Sequence, residues 1–162
     1  NSFGLRVLVL GESHYDRDQV PCSTYTTEVV ERNVKHGRAA FFTKISKVLL
    51  NLDEQMPSDE ERSAIWDEIA FYNYIQEFVS EGPRVRPSDE MWAHGDKAFF
   101  EILEHLKPQV LLVLGIELGW HLPAIPASIT VCNIQHRSTG FSYKKWNPLF
   151  AEALAKARNK HS

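Results

Sequence analysis

Cysteine is almost missing from this chain: Cys22 and Cys132 are the two in 162 residues, and they lie far apart with no C-x-x-C pair. A disulfide framework and a cysteine-held zinc or iron–sulfur centre are therefore not expected, which points to a reducing, cytoplasmic setting. Long hydrophobic runs are also missing, since no apolar stretch approaches the ~20 residues of a membrane span. No membrane association is expected, and no charged-then-apolar leader precedes the first strand-like segment. Nor is there an excess of positive charge: 18 Lys and Arg stand against 21 Asp and Glu, for a net charge of -3. The molecule as a whole does not attract nucleic acid, so any such binding must come from a local basic patch. Repeats and low-complexity tracts are absent as well. What remains is ordinary globular material, 43% hydrophobic and 24% charged, long enough for one domain over residues 1–162 that buries ~70% of its unfolded surface.

Hydrophobic periodicity divides the chain into alternating strands and helices. Leu5 to Leu10 is short and almost wholly apolar, as in a strand covered on both faces. Thr26 to Lys35 reads as a helix closed by Gly37, and Ala39 to Leu52 as a second, with Phe41, Phe42, Ile45, Val48, Leu49 and Leu52 on its apolar face. Ser58 and Glu61 fit a capping box opening a third helix to about Glu68, and Ile69 to Ile75 reads as the second strand. Ser88 caps a long helix through Lys107, and Pro108 ends it before the strand Gln109 to Leu114. A short helix from Ile116 to Leu122, a fourth strand from Ile129 to Ile134, and a last helix opened by Pro148 with Leu149, Phe150, Ala153, Leu154 and Ala157 facing inward complete the order βαααβαβαβα. Strands separated by helices predict an α/β fold, a three-layer α/β/α sandwich on a four-stranded parallel sheet.

In open sheets of this kind ligands sit at the carboxyl ends of the strands. The loop after the first strand carries Gly11, Glu12, Ser13, His14, Tyr15 and Asp16, more chemically capable side chains than a turn needs, with Gly11 read as permitting a tight turn. The loop after the fourth strand has a similar design, with His136, Arg137, Ser138 and Gly140. Asn73 and the segment from Gly115 to Glu117 complete the four strand ends expected to share one crevice.

Taken in order, these features resemble the uracil-DNA glycosylase superfamily, especially its branch with a Gly-Glu first motif. The resemblance rests on Gly11 and Glu12 after the first strand, Asn73 in an apolar second strand, and Arg86 and Pro87 before a long helix. It continues with the run from Lys107 to Gly115 and with His136, Arg137 and Ser138 near the end, so that it spans roughly residues 5 to 150. It implies a uracil-DNA glycosylase-like domain that hydrolyses the N-glycosidic bond of a deaminated or damaged base in DNA, as in base excision repair. The four cluster-binding cysteines of the Gly-Glu branch are not in this chain.

Cleaving an N-glycosidic bond builds positive charge on the sugar and negative charge on the leaving base. Under the resemblance Glu12 would stabilise the oxocarbenium-like sugar and orient water, while His136 would donate to the base carbonyl oxygen. The planar amide of Asn73, with one acceptor and two donors, suits the edge of a pyrimidine. Gly11, Ser13, Tyr15 and Ser138 would complete the substrate pocket, and Tyr15, Phe41 or Phe42 would offer a stacking face. The loop from His136 to Lys145 would meet the nucleic acid, Arg137, Lys144 and Lys145 holding phosphates and Phe141 acting as a wedge. The expected partner is single- or double-stranded DNA or a nucleobase-like ligand, bound by a monomer. No cofactor and no metal are expected, since His14, Asp16 and His136 have no diagnostic ligand spacing.

Two alternatives stay open. One is a member of the same fold with altered catalysis that binds nucleic acid or a nucleotide. The other is a serine esterase resembling the GDSL family, with Ser13 as nucleophile, His136 as its base, and Asn133 where the histidine-orienting residue belongs.

Overall fold

The computed structural model describes residues 1–14, 25–35, 40–78, 87–136 and 140–162. Its elements are β1 (Val7–His14), α1 (Tyr25–Lys35), α2 (Ala40–Leu49), α3 (Asp59–Asp67), β2 (Ile69–Phe78), α4 (Asp89–Leu106), β3 (Val110–Leu114), α5 (Ile116–His121), β4 (Thr130–Ile134) and α6 (Tyr143–His161). The four strands form one parallel sheet in the order β2-β1-β3-β4. The order of elements is the one read from the sequence.

The pleat sends alternate side chains of the inner strands to opposite faces, and each face has its own core. Val7, Val9, Val110, Leu112, Leu114, Cys132 and Ile134 pack against α2, α3 and α6 through residues such as Ile45, Val48, Trp66, Phe150 and Ala157. Leu8, Leu10, Leu111 and Val113 face the other way, onto Phe99 and Leu103 of α4 and Leu118 of α5. Strands buried on both sides must be apolar at every position, which is why β3 reads as five consecutive buried aliphatics. The result is three layers, α/β/α. The chain moves outward from β1 to β2 with its helices on the first face and returns through α4 and α5 on the second, as crossovers of a single hand require.

The starts of α3 and α4 follow local chemistry. Ser58 accepts from the Glu61 amide while the Glu61 carboxylate accepts from the Ser58 amide, a complete capping box, and Ser88 accepts from the Met91 amide.

Four sequence expectations need correction. β1 does not stop at Leu10: Gly11 and Ser13 pair in register with Asn73 and Ile75 of β2, so the first motif is the end of a strand and not a turn. β2 likewise runs on to Phe78, beyond the expected end at Ile75. α6 opens at Tyr143, with Pro148 inside it. Buried Trp146 and the bond from Asn147 Nδ2 to the Leu52 carbonyl anchor that first turn, so tertiary contacts hold a helix start that the proline signal placed later. Leu149, expected to face inward, is 41% exposed.

Candidate functional site

Strand order reverses between β1 and β3, because the chain leaves β1 toward β2 on one side and returns to β3 on the other. A crevice opens where crossovers diverge at the carboxyl ends of such strands. A cavity of about 510 Å³ lies there, lined by Gly11, Glu12 and Ser13 of β1, Asn73 of β2, Leu114 of β3 and Gly115 after it, and Gln135 and His136 beyond β4. Phe41 of α2 and Ile116 and Glu117 of α5 form its remaining walls, and Trp120 of α5 stands exposed at its rim. All four strand ends contribute.

Gly11 is required for a reason other than a turn. A Cβ there would overlap Asn73 Oδ1, so the bare glycine lets the Asn73 amide lie across β1. Asn73 is only 4% exposed, and a buried amide held this way is a fixed polar group rather than a mobile surface one. Gly115 differs in kind. Its φ of 144° lies where other residues are strained, and that turn carries the chain from β3 into α5 with the Gly115 amide bonded to the Ile134 carbonyl.

Glu12 and Ser13 point to opposite sides of β1 by the strand alternation, yet both reach the cavity because it spans the open end of the sheet. The Ser13 hydroxyl oxygen is buried and has no hydrogen-bond partner among the described residues. His136 leans toward Phe41, ring centroids 6.4 Å apart, and Phe41 also meets Phe42 and Phe71 edge-on at 5.1 and 6.3 Å. The aromatic wall of the cavity is therefore continuous with the core beneath it. Phe42 itself is buried against Trp66 and belongs to the core.

The cavity thus brings together Gly11, Glu12, Ser13, Asn73 and His136 from among the residues singled out in the sequence. Tyr15, Arg137 and Ser138 lie outside the described residues, as do Arg84 and Arg86. Phe141 is half-buried against the core and packs edge-on to Tyr143 at 5.2 Å. Lys145 Nζ sits 4.3 Å from the ring centroid of Trp146, and Lys144 Nζ is 4.0 Å from the Asp53 carboxylate. Asn133 does not line the cavity. Its amide presses on α5 where Gly119 leaves room, on the far side of the sheet from Ser13, and a Cβ at Gly119 would overlap it. A Ser13–His136–Asn133 relay has no support from this arrangement.

Trp120 and Glu117 are cavity residues that the sequence reading passed over as individuals. A six-residue helix carries too little periodicity to show which side chains face a cleft, and the one available signal was a tryptophan three residues after the strand-end segment Gly115–Glu117. Among the described residues no group of three His, Cys, Asp or Glu side chains is placed to hold a metal ion, and no helix is long and apolar enough to cross a membrane.

The sequence matches no protein-family model and no curated protein sequence.

Proposed function

We propose that this chain is a uracil-DNA glycosylase-like enzyme that hydrolyses the N-glycosidic bond between a deaminated or damaged base and its sugar. The observation that carries this reading is the convergence of Glu12, Asn73 and His136, from three different strand ends, on one cavity large enough to hold a nucleobase. Each supplies a different requirement of the reaction. The Glu12 carboxylate faces the developing positive charge on the sugar and orients the attacking water. The His136 imidazole, on a different strand end, donates to the carbonyl oxygen of the leaving base as charge builds there. The Asn73 amide, held in place over Gly11, reads the polar edge of the base, and the Phe41 ring offers its face to the plane of the base. Separating the carboxylate from the donor is what lets both charges of the transition state be met at once.

The test is direct. The protein is incubated with single- and double-stranded DNA carrying uracil, hypoxanthine or xanthine, and abasic sites are detected after alkaline cleavage. Abasic sites with at least one of these bases are expected. Intact strands with all three, on a protein that still binds them, would favour the reading as a non-catalytic nucleic-acid-binding member of the fold.

A further inference from the structure

Trp120 is the most exposed large apolar side chain among the described residues, at 79%, and it stands at the rim of the cavity. The other tryptophans are occupied: Trp66 and Trp146 are buried, and Trp92 stacks on His121 with centroids 4.2 Å apart and planes 9° from parallel. An indole gains most from having both faces covered, so one left in water beside a cavity is spare stacking surface. Its position is set by the residues before it. Leu118 is fully buried and the backbone at Gly119 is pressed against the Asn133 amide, which fixes where α5 directs the ring.

We propose that Trp120 stacks on the nucleobase next to the one held in the cavity, so that the ligand is an unpaired strand of DNA and not a free nucleoside. This rests on the nucleobase reading of the cavity. A base drawn into the cleft leaves its neighbour on the strand at the rim, unstacked on one side, where an aromatic face replaces the lost stack without regard to sequence. The charge balance favours the same conclusion. Net charge is -3, and the two lysines that open α6 are engaged, Lys144 with Asp53 and Lys145 with the Trp146 ring. With no excess of positive charge in the chain, stacking supplies part of the binding that phosphate contacts supply in basic proteins.

The experiment measures binding of a single-stranded oligonucleotide of about eight nucleotides, with one central 2′-fluoro-2′-deoxyuridine to resist cleavage, to wild type, Trp120→Phe and Trp120→Ala. Deoxyuridine monophosphate serves as the competitor for the cavity alone. Trp120→Ala is expected to weaken the oligonucleotide about tenfold, as loss of one base–aromatic stack does, and Trp120→Phe by less than about threefold. Affinity for the monophosphate should be the same in all three proteins. Because the side chain is exposed, folding should be unaffected, which circular dichroism checks. Equal oligonucleotide affinity in wild type and Trp120→Ala would overturn the stacking role, while abasic-site formation by the wild type would leave the glycosylase reading standing. An equal loss of monophosphate affinity in Trp120→Ala would also overturn it, by making Trp120 part of the base pocket itself. Binding of neither ligand by the wild type would overturn both.

Discussion

One absent Cβ, at Gly11, sets the position of a side chain on the neighbouring strand. Adding it would drive a methyl group into Asn73 Oδ1 and to 3.3 Å from Phe71 Cζ, so the Asn73 amide would have to shift. Gly11→Ala should therefore lower stability by ~1–3 kcal/mol through overpacking, seen as a lower urea midpoint at unchanged slope, and should impair base release by displacing the Asn73 amide. A variant as stable and as active as wild type would mean that Asn73 is not held as described. Ser13 presents the opposite case, because its hydroxyl oxygen is buried without a partner among the described residues. Removing an unsatisfied buried group relieves a desolvation cost, so Ser13→Ala should leave stability within ~0.5 kcal/mol or raise it. A loss above ~1 kcal/mol in urea unfolding would contradict this. Glu12 and His136 were legible as polar groups ending apolar strands. The reason for Gly11 was not, since its neighbour Asn73 is sixty-two positions away in the chain and meets it only through the strand pairing.

At the level of elements, signals that act within one turn were readable and those that depend on distant partners were not. The capping box at Ser58 and Glu61 satisfies two backbone amides locally, and its reading agrees with the structure. Ser58→Ala should cost ~1 kcal/mol, measured by thermal or urea unfolding. The start of α6 was misplaced because Trp146 and Asn147 are anchored by contacts from other parts of the chain, Asn147 to the Leu52 carbonyl. The ends of β1 and β2 were cut short for a similar reason. Gly11 to Ser13 look like loop residues singly, and only their pairing with β2 makes them strand. β4 offers a pH test through Cys132 on its core face. Burial, with a smaller contribution from nearby Glu152, pushes the Cys132 thiol from 9.0 up to about 11. The folded state thus disfavours the thiolate. Its contribution to stability is complete below pH ~9 and is lost as pH rises from there to about 11, because the unfolded chain ionises first. Unfolding free energy should fall across that window, and Cys132→Ser should flatten the fall. Burial also raises the Tyr72, Tyr74 and Tyr143 phenols, which adds a decline of the same sign at higher pH. An unchanged slope in Cys132→Ser would place the titration elsewhere.

For the whole molecule, the alternation of strands and helices was enough to give a parallel α/β sheet, but not the strand order. The order β2-β1-β3-β4 follows from how crossovers of one hand bury two faces, and it places the reversal beside β1. That reversal turns motifs spread from Gly11 to His136 into one site, and it explains why polar side chains gather at that end of the sheet while the middle of every inner strand is apolar. We propose that this site breaks an N-glycosidic bond with Glu12 and His136 acting on opposite charges. The most direct test is single-turnover release of free base, followed by chromatography, from a DNA strand that yields abasic sites with the wild type. The same measurement is made on Glu12→Gln and His136→Ala, each shown by circular dichroism to be folded. Release by the wild type is expected, with a fall of roughly 10²-fold or more in each variant, the scale of losing one group that meets transition-state charge. Release by Glu12→Gln at the wild-type rate would contradict it.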